Sequence, residues 1–265
     1  MQRVLHLRYI QLYIATTAMN RLCNLSLLAI LLTAATESDA DEIKVAVATN
    51  FAGAMNALVE RFEETSGHTV LVSSGSTGGH YAQIKNGAPF EAFFAADSER
   101  PRLLEAEGVA VSGTRFLYAV GRLALWSASA GYVDADGEVL ETGDFRHVAI
   151  ANPELAPYGA AARDVLTARG LWDRLQARVV MGQDIGQAYG FVQTGNAEVG
   201  FVAWAQLKQP RGEIAGSHWL VPESLHRPIE QEAVLLRDVP AARALLEFVK
   251  GPEAREIIRS YGYGP

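Results

Sequence analysis

Three short turns in this sequence carry helix-start signals, and two of them also offer hydroxyl or amide side chains that donate hydrogen bonds. They are Thr49-Asn50, the run 73–79 (SSGSTGG) and the run 184–186 (DIG). Each precedes a helical pattern, so its backbone N–H groups lie in the first turn of a helix, where the helix itself cannot accept them. A helix start carries about half a positive charge and binds anions. The pattern indicates an anion site, with ordinary helix capping as the alternative at any single turn.

Other kinds of site chemistry find little support in the residue pattern. Cys23 is the only cysteine, and it lies before an N-terminal apolar run. The sequence has no Gly-x-Ser-x-Gly or Walker motif. Its histidines lack the spacing of metal ligands. We therefore predict a protein that is not an enzyme, with no cofactor and no site for a free metal cation. An exported hydrolase that uses the serines of 73–77 stays an alternative. His80, which directly follows the second turn, is interpreted as a solvated residue, with a place at the rim of the anion site as the alternative.

The first 40 residues have the features of an export signal. Arg21 precedes the apolar run 25–32 (LSLLAILL), and small residues follow at Ser38 and Ala40. A basic start, a short apolar run and small residues are typical of a cleaved secretory signal. The run is also shorter than the about 20 apolar residues that span a bilayer. We predict a signal with an upstream extension over 1–40 and a periplasmic protein, with a membrane anchor as the alternative.

The elements that must position the turns alternate between strand and helix. An alternating apolar run at 43–48 (IKVAVA) is followed by a helical pattern at 52–64, and the same order repeats along the chain. This alternation predicts parallel βαβ units, in which ligands bind at the carboxyl ends of the strands. The run 116–127 (FLYAVGRLALWS) is longer than a usual strand, so it could pass from one sheet into another at Gly121.

The predicted fold class is α/β, with two doubly wound lobes joined by two crossing segments. We place lobe 1 at 41–119 plus 233–265 and lobe 2 at 120–232. The crossing segments are expected near 118–123 and 227–233.

The charge of the chain restricts its partners. The formal net charge is −7, and no basic stripe follows the predicted signal. Nucleic acids and anionic membranes are therefore poor partners. Because an acidic chain also attracts a dianion weakly at long range, local dipoles must decide anion binding. We expect a monomer.

Five longer stretches match a known family pattern, the first of them at 45–70 (VAVATNFAGAMNALVERFEETSGHTV). The most specific are 86–97 (NGAPFEAFFAAD) and 152–159 (NPELAPYG), and two others are 197–207 (AEVGFVAWAQL) and 250–263 (KGPEAREIIRSYGY). In these stretches the sequence resembles the periplasmic molybdate-binding proteins of ABC importers, from about residue 43 to 263. The resemblance implies a type II binding protein that closes on one tetrahedral oxyanion, molybdate or tungstate, and delivers it to a membrane permease.

The resemblance also implies which residues hold the anion. The family's donor positions fall on Thr49, Asn50, Thr77, Tyr158 and the backbone N–H of Ile185, with Ser76 and Gly186 as secondary candidates. One position departs from the family pattern. Many members carry a tyrosine after a late strand, where this chain has Ala203, and they have a small residue where this chain has Tyr158. We expect the Tyr158 hydroxyl to supply the missing hydrogen bond.

All of these groups are neutral donors, which suits an anion that carries no proton. A site made only of donors disfavours protonated competitors, because a buried donor would then face an O–H group. Asp184, the one acidic residue beside the turns, is interpreted as a helix cap. Sulfate and phosphate stay alternative ligands. Ferric ion needs a tyrosine cluster, and Tyr261 and Tyr263 are judged too close to the C-terminus to form one.

Overall fold

The computed structural model describes residues 41–208 and 212–264. The predicted export signal, with Arg21, Cys23 and the apolar run, lies outside these residues. The strands are β1 (Glu42–Ala48), β2 (Thr69–Gly75), β3 (Ala92–Phe94), β4 (Phe116–Gly121), β5 (Leu123–Ser127), β6 (Val148–Ala151), β7 (Val179–Gly182), β8 (Val199–Ala203), β9 (Ser217–Leu220) and β10 (Ile229–Leu235).

Ten α-helices and three 3-10 turns connect the strands in the described part of the chain. The helices are α1 (Ala52–Ser66), α2 (Thr77–Lys85), α3 (Glu99–Ala106), α4 (Val139–Thr142), α5 (Pro157–Ala168), α6 (Trp172–Leu175), α7 (Ile185–Gln193), α8 (Trp204–Leu207), α9 (Pro240–Lys250) and α10 (Pro252–Ser260). The 3-10 turns are Thr49–Phe51, Gln176–Arg178 and Glu223–Leu225. Over these residues, every helix is too short or too polar to cross a membrane.

The first sheet has the strand order β2-β1-β3-β10-β4. β1 is parallel to β2 and β3, and β10 is antiparallel to β3 and β4. The central strand β1 is apolar on both faces. Val45 and Val47 pack into one core with α1 and α9, and Ala46 packs into a second core with Phe93 and Leu104. Burial on both faces is expected where helices cover both sides of a parallel sheet.

The second sheet repeats this arrangement, with the order β7-β6-β8-β5-β9. β6 is parallel to β7 and β8, whereas β5 is antiparallel to β8 and β9. One large core joins this sheet to α5 and α7, through residues such as Leu166 and Ala188, which are fully buried. Each sheet therefore has parallel strands whose carboxyl ends lead into helix starts.

The chain passes between the sheets twice. β4 ends at Gly121 in the first sheet and β5 begins at Leu123 in the second, so the prediction that 116–127 changes sheet is confirmed. The chain returns between β9 and β10, which begins at Ile229. The predicted class of two doubly wound α/β lobes is confirmed. The lobe boundaries at 41–119 plus 233–265 and at 120–232 stay a prediction.

Candidate anion-binding site

Four helix starts meet around one small cavity between the two sheets. They belong to the 3-10 turn that leads into α1 and to α2, α5 and α7. The cavity is small, with a volume of about 10 Å³. The lining residues are Ala48, Thr49, Asn50, Gly75, Ser76, Thr77, Ala96, Ala156, Pro157, Tyr158, Asp184 and Ile185.

The structure places most of the sequence-predicted site residues on this wall. The lining includes Thr49, Asn50, Thr77, Tyr158 and Ile185, together with the secondary candidate Ser76. Gly186, the other secondary candidate, is the second residue of α7 and does not line the cavity. Residues that are up to 136 positions apart in sequence, from 49 to 185, therefore share one cavity. Entry of a polyatomic ion into so small a space requires the two sides of the wall to move apart.

Hydroxyl groups on the first-sheet side of the cavity are already used as acceptors. Thr77, which is 1% exposed, accepts a hydrogen bond through Oγ1 from the N–H of Ala96 at 3.0 Å. The Ser76 Oγ atom caps α2 and accepts the N–H of Gly79 at 3.2 Å. Because each hydroxyl has one hydrogen of its own, both can still donate to another acceptor.

The start of α7 on the opposite side is capped by Asp184. Its carboxylate accepts the N–H groups of Gly186 at 2.7 Å and Gln187 at 3.0 Å, so the interpretation of Asp184 as a helix cap is confirmed. The Gly186 N–H is therefore already engaged. Ile185, the first residue of the helix, has an N–H that the helix itself cannot accept. Ile185 also lines the cavity, so its N–H is a candidate donor to a ligand at this turn.

Ala203 helps to hold the start of α7 in place through the side chain of Gln206. It ends β8 with no exposed surface, and it is not one of the residues that line the cavity. Its N–H donates to Gln206 Oε1 at 2.9 Å, and Gln206 Nε2 donates to the Ile185 carbonyl at 3.2 Å. Sequence reasoning missed Gln206. Ala203, where the sequence analysis expects a tyrosine in many family members, here orients Gln206, whose side-chain amide holds the Ile185 peptide in place.

A buried polar cluster lies beneath the cavity. It comprises Asn50, Tyr118, Tyr158, Gln231 and Tyr263. Asn50 Nδ2 donates to Gln231 Oε1 at 2.8 Å and to Tyr263 Oη at 3.2 Å, and Tyr263 Oη donates to the Asn50 carbonyl at 2.7 Å. Gln231 Nε2 donates to Tyr158 Oη at 3.2 Å. The cluster joins two of the predicted site residues, Asn50 and Tyr158, to three that the sequence analysis did not select.

Burial keeps the tyrosines of this cluster protonated. It raises the pKa of Tyr158 far above its ordinary value of 10.0, although hydrogen bonds from Gln231 and Asn50 oppose the shift. Burial likewise raises the pKa values of Tyr118 and Tyr263 well above that value. All three phenols are therefore neutral hydroxyl groups throughout the physiological pH range.

The interpretation of His80 as a solvated residue is wrong. Its side chain is 3% exposed and packs edge-on against Phe90 and Phe93, at ring-centre distances of 5.7 and 6.3 Å. His80 lies one turn after the start of α2, on the helix face that covers the sheet. Desolvation lowers the pKa of this imidazole below its ordinary value of 6.5, against an opposing hydrogen bond with Gln83. His80 is therefore neutral at pH 7.

Direct contacts hold the two sides of the cavity together. The Gly78 N–H donates to the Leu155 carbonyl at 2.8 Å, and Arg100 Nη2 donates to the Glu154 carbonyl at 2.9 Å. Gly78 and Arg100 belong to α2 and α3, whereas 154–155 precede α5. The two-lobed structure is therefore closed at this edge of the cavity.

A larger cavity of about 430 Å³ lies on the other side of Pro157, and its chemistry suits an anion less well. Its arginines pair with neighbouring carboxylates: Arg163 with Glu154 at 3.0 Å, Arg227 with Asp164 at 2.9 Å, and Arg100 with Asp97. Five acidic side chains line it, and they would repel a dianion. The small cavity is lined by one acidic side chain, Asp184, whose carboxylate faces N–H groups of α7.

No group of three His, Cys, Asp or Glu side chains that could hold a metal cation occurs in the described residues.

Two lobes that close over converging helix starts define a solute-binding protein of the two-lobed α/β class. The chain belongs to the family of bacterial extracellular solute-binding proteins, whose family model matches residues 43–264.

Relatives within this family are similar over nearly their full length. The chain is 52% identical to the molybdate-binding protein ModA of Azotobacter vinelandii over 230 residues, which cover 86% of this chain and 91% of the relative. It is 48% identical to the ModA protein of Rhodobacter capsulatus over 239 residues, which cover 89% and 93%. These relatives are binding proteins, so the resemblance stated from the sequence is confirmed and the hydrolase alternative is set aside.

Solved structures agree with the fold. The periplasmic molybdate-binding protein of Azotobacter vinelandii superposes with a TM-score of 0.82 and 45% sequence identity, covering 84% of this chain and 99% of that one. The sulfate-binding protein SubI of Mycobacterium tuberculosis H37Rv has a TM-score of 0.70 at 14% identity, covering 85% and 87%. The second similarity concerns the fold alone.

Proposed function

We propose that this chain captures molybdate or tungstate and delivers the anion to the permease of an ABC importer. One observation carries the proposal: four helix starts with neutral donors surround a single cavity between the two sheets. The names of the relatives at 52% and 48% identity support molybdate as the ligand. The predicted export signal supports a periplasmic location, and we expect the protein to act as a monomer.

We assign the anion contacts to both sides of the cavity. The side chains of Thr49 and Thr77 and the backbone N–H of Asn50 act from the first-sheet side, and the Tyr158 hydroxyl and the Ile185 N–H act from the second-sheet side. Ser76 is a secondary contact. Hydrogen bonds to a charged group contribute about 1.5–3 kcal/mol each. Five of them are sufficient for nanomolar affinity, about −12 kcal/mol, after the cost of association.

The donor set also explains selectivity. Every assigned group presents a hydrogen and carries no net charge, so a fully deprotonated tetrahedral dianion satisfies all of them. A protonated anion would direct its O–H group at a buried donor and leave that donor unpaired, which costs about 1–3 kcal/mol. Selection against sulfate rests on size, since molybdate and tungstate are larger and the closed wall fixes the distance between opposing donors.

Isothermal titration of the purified protein with molybdate, tungstate, sulfate and phosphate tests the proposal. We expect molybdate and tungstate to bind in the nanomolar range, with sulfate and phosphate at least 100-fold weaker. Tyr158→Phe should weaken molybdate binding at least 10-fold, whereas Tyr81→Phe, a matched change outside the cavity lining, should not. Tighter binding of phosphate or sulfate than of molybdate would overturn the assignment.

A further inference from the structure

Gln231 is a fully buried amide that none of the functional assignments above explains. It is 0% exposed and lies on β10, in phase with the buried residues Ile229 and Ala233. A glutamine in such a position costs stability unless its polar atoms are hydrogen-bonded. Its partners come from both sides of the anion cavity, and none of them is close to it in sequence.

The partners of Gln231 fix the orientation of its amide. Oε1 lies 2.8 Å from Asn50 Nδ2 and 3.0 Å from Tyr118 Oη, and both of these groups are donors. Tyr118 shares its single hydrogen between this oxygen and the Ala95 carbonyl, which is also at 3.0 Å. Because Oε1 faces these donors, Nε2 must face the remaining partner, Tyr158.

This orientation determines what the Tyr158 hydroxyl can do. Its oxygen accepts a hydrogen bond from Gln231 Nε2 at 3.2 Å, and an amide nitrogen cannot accept one in return. The hydroxyl hydrogen must therefore point away from Gln231. Tyr158 also lines the cavity, so this hydrogen is available to an acceptor there. If the amide were reversed, Oε1 would take the hydrogen and the cavity would lose a donor.

Two features of the backbone allow the Gln231 amide and the Tyr158 hydroxyl to approach each other. The pairing of β10 with β4 shifts register between Gln231 and Glu232, so that Tyr118 is the extra residue on β4. Such a bulge redirects side chains next to functional sites. Gly121 leaves the necessary space, since a Cβ atom there would lie 2.6 Å from Gln231 Nε2 and 2.3 Å from Tyr158 Oη.

We propose that Gln231 is a positioning residue that makes Tyr158 an obligatory hydrogen-bond donor to the bound oxyanion. The inference rests on the proposed function, because it takes the small cavity to be the anion site. Gln231 does not touch the anion. It acts through Tyr158, and its contribution to affinity depends on the Tyr158 hydroxyl.

A double-mutant cycle tests this dependence. Molybdate is titrated into the wild-type protein, Gln231→Met, Tyr158→Phe and the double variant, with Gln193→Met as the matched control at an exposed glutamine. Gln231→Met should raise the Kd at least 10-fold in the wild-type background and less than 2-fold in the Tyr158→Phe background. A purely structural role would give the same factor in both backgrounds. Gln193→Met should leave the Kd unchanged.

The outcomes separate the inference from the proposed function. Equal factors in the two backgrounds, or an unchanged Kd for Gln231→Met, would overturn the role of Gln231 while leaving molybdate binding intact. Absence of molybdate binding by the wild-type protein would overturn the proposed function and this inference with it. If Gln231→Met shows no cooperative thermal transition, Gln231→Asn replaces it in the cycle with the same expected factors, because the shorter amide cannot reach Tyr158.

Discussion

Gly186 and Thr49 contact each other beside the candidate anion cavity so closely that no side chain fits between them. A Cβ atom at position 186 would lie 2.5 Å from the Cγ2 atom of Thr49. The start of α7 and the turn before α1 therefore meet only because residue 186 is a glycine. This contact, together with the bond from Gly78 to Leu155, defines how far the two sides can close.

Gly186→Ala should prevent full closure and weaken anion binding. The added methyl group overpacks the contact with Thr49, which costs about 1–3 kcal/mol in a packed interior and corresponds to about a 5- to 150-fold higher Kd for molybdate. Gly190→Ala is the matched control on the same helix, because a Cβ atom there meets nothing within 4 Å. Isothermal titration measures both variants. Equal affinities for the two would show that the contact does not limit closure.

Gly121→Ala should also weaken anion binding, because the added methyl group displaces the Tyr158 hydroxyl. Its Cβ atom would lie 2.3 Å from Tyr158 Oη, so the hydroxyl has to move out of its place on the cavity wall. We expect at least a 10-fold rise in the molybdate Kd by titration. The same substitution in the Tyr158→Phe protein should have a smaller effect. A Kd that does not respond to Gly121→Ala would contradict the position assigned to the hydroxyl.

Thr77→Val should lose both a ligand contact and a structural one. Valine has no hydroxyl for the anion, which raises the molybdate Kd about 10- to 100-fold, and it leaves the buried Ala96 N–H unpaired, which lowers the free energy of unfolding by about 1–3 kcal/mol. Thr77→Ser keeps the Oγ atom and should stay close to wild type in both quantities. Calorimetric titration and urea unfolding measure them. A Thr77→Val protein with wild-type affinity would remove Thr77 from the site.

The burial of His80 predicts a loss of stability in mild acid. Because its pKa is lowered in the folded state, the unfolded chain takes up the proton first as the pH falls. The free energy of unfolding is therefore unaffected by His80 titration above pH 6.5, the ordinary pKa of histidine. It falls progressively as the pH drops below that value. Urea unfolding of the wild-type protein and of His80→Gln at several pH values between 5 and 8 measures this. The variant should show the smaller pH dependence, whereas His147→Gln, at an exposed residue, should behave like the wild type. Identical profiles for His80→Gln and the wild type would refute the prediction.

Local patterns in the sequence were sufficient to predict the architecture. The alternation in 43–48 identifies the central strand β1, and the length of 116–127 with Gly121 inside it identifies the passage between the sheets. The turns at 49–50, 73–79 and 184–186 combine donors with helix starts, and the structure brings all three to one cavity. These features depend on residues that are neighbours in sequence, which is why pattern reasoning reaches them.

The polar cluster beneath the cavity could not be found in this way. Asn50 bonds to Gln231 and Tyr263, which are 181 and 213 residues away, and no local pattern reveals which buried amide meets which phenol. Tyr263 was dismissed because it is close to the C-terminus. The one available signal was Gln231, a polar residue in the buried phase of β10. His80 was misjudged for a similar reason, since the packing of α2 on the sheet decides its exposure.

A crystal structure with tungstate bound tests the central claim most directly, because the anomalous scattering of tungsten locates the anion without ambiguity. We predict the tungsten in the small cavity, with its oxygens within hydrogen-bond distance of the Thr49 and Thr77 hydroxyls, the Tyr158 hydroxyl and the Ile185 N–H. Tungsten in the larger cavity beside Arg100 and Arg227, or those donors turned away from the anion, would contradict the account.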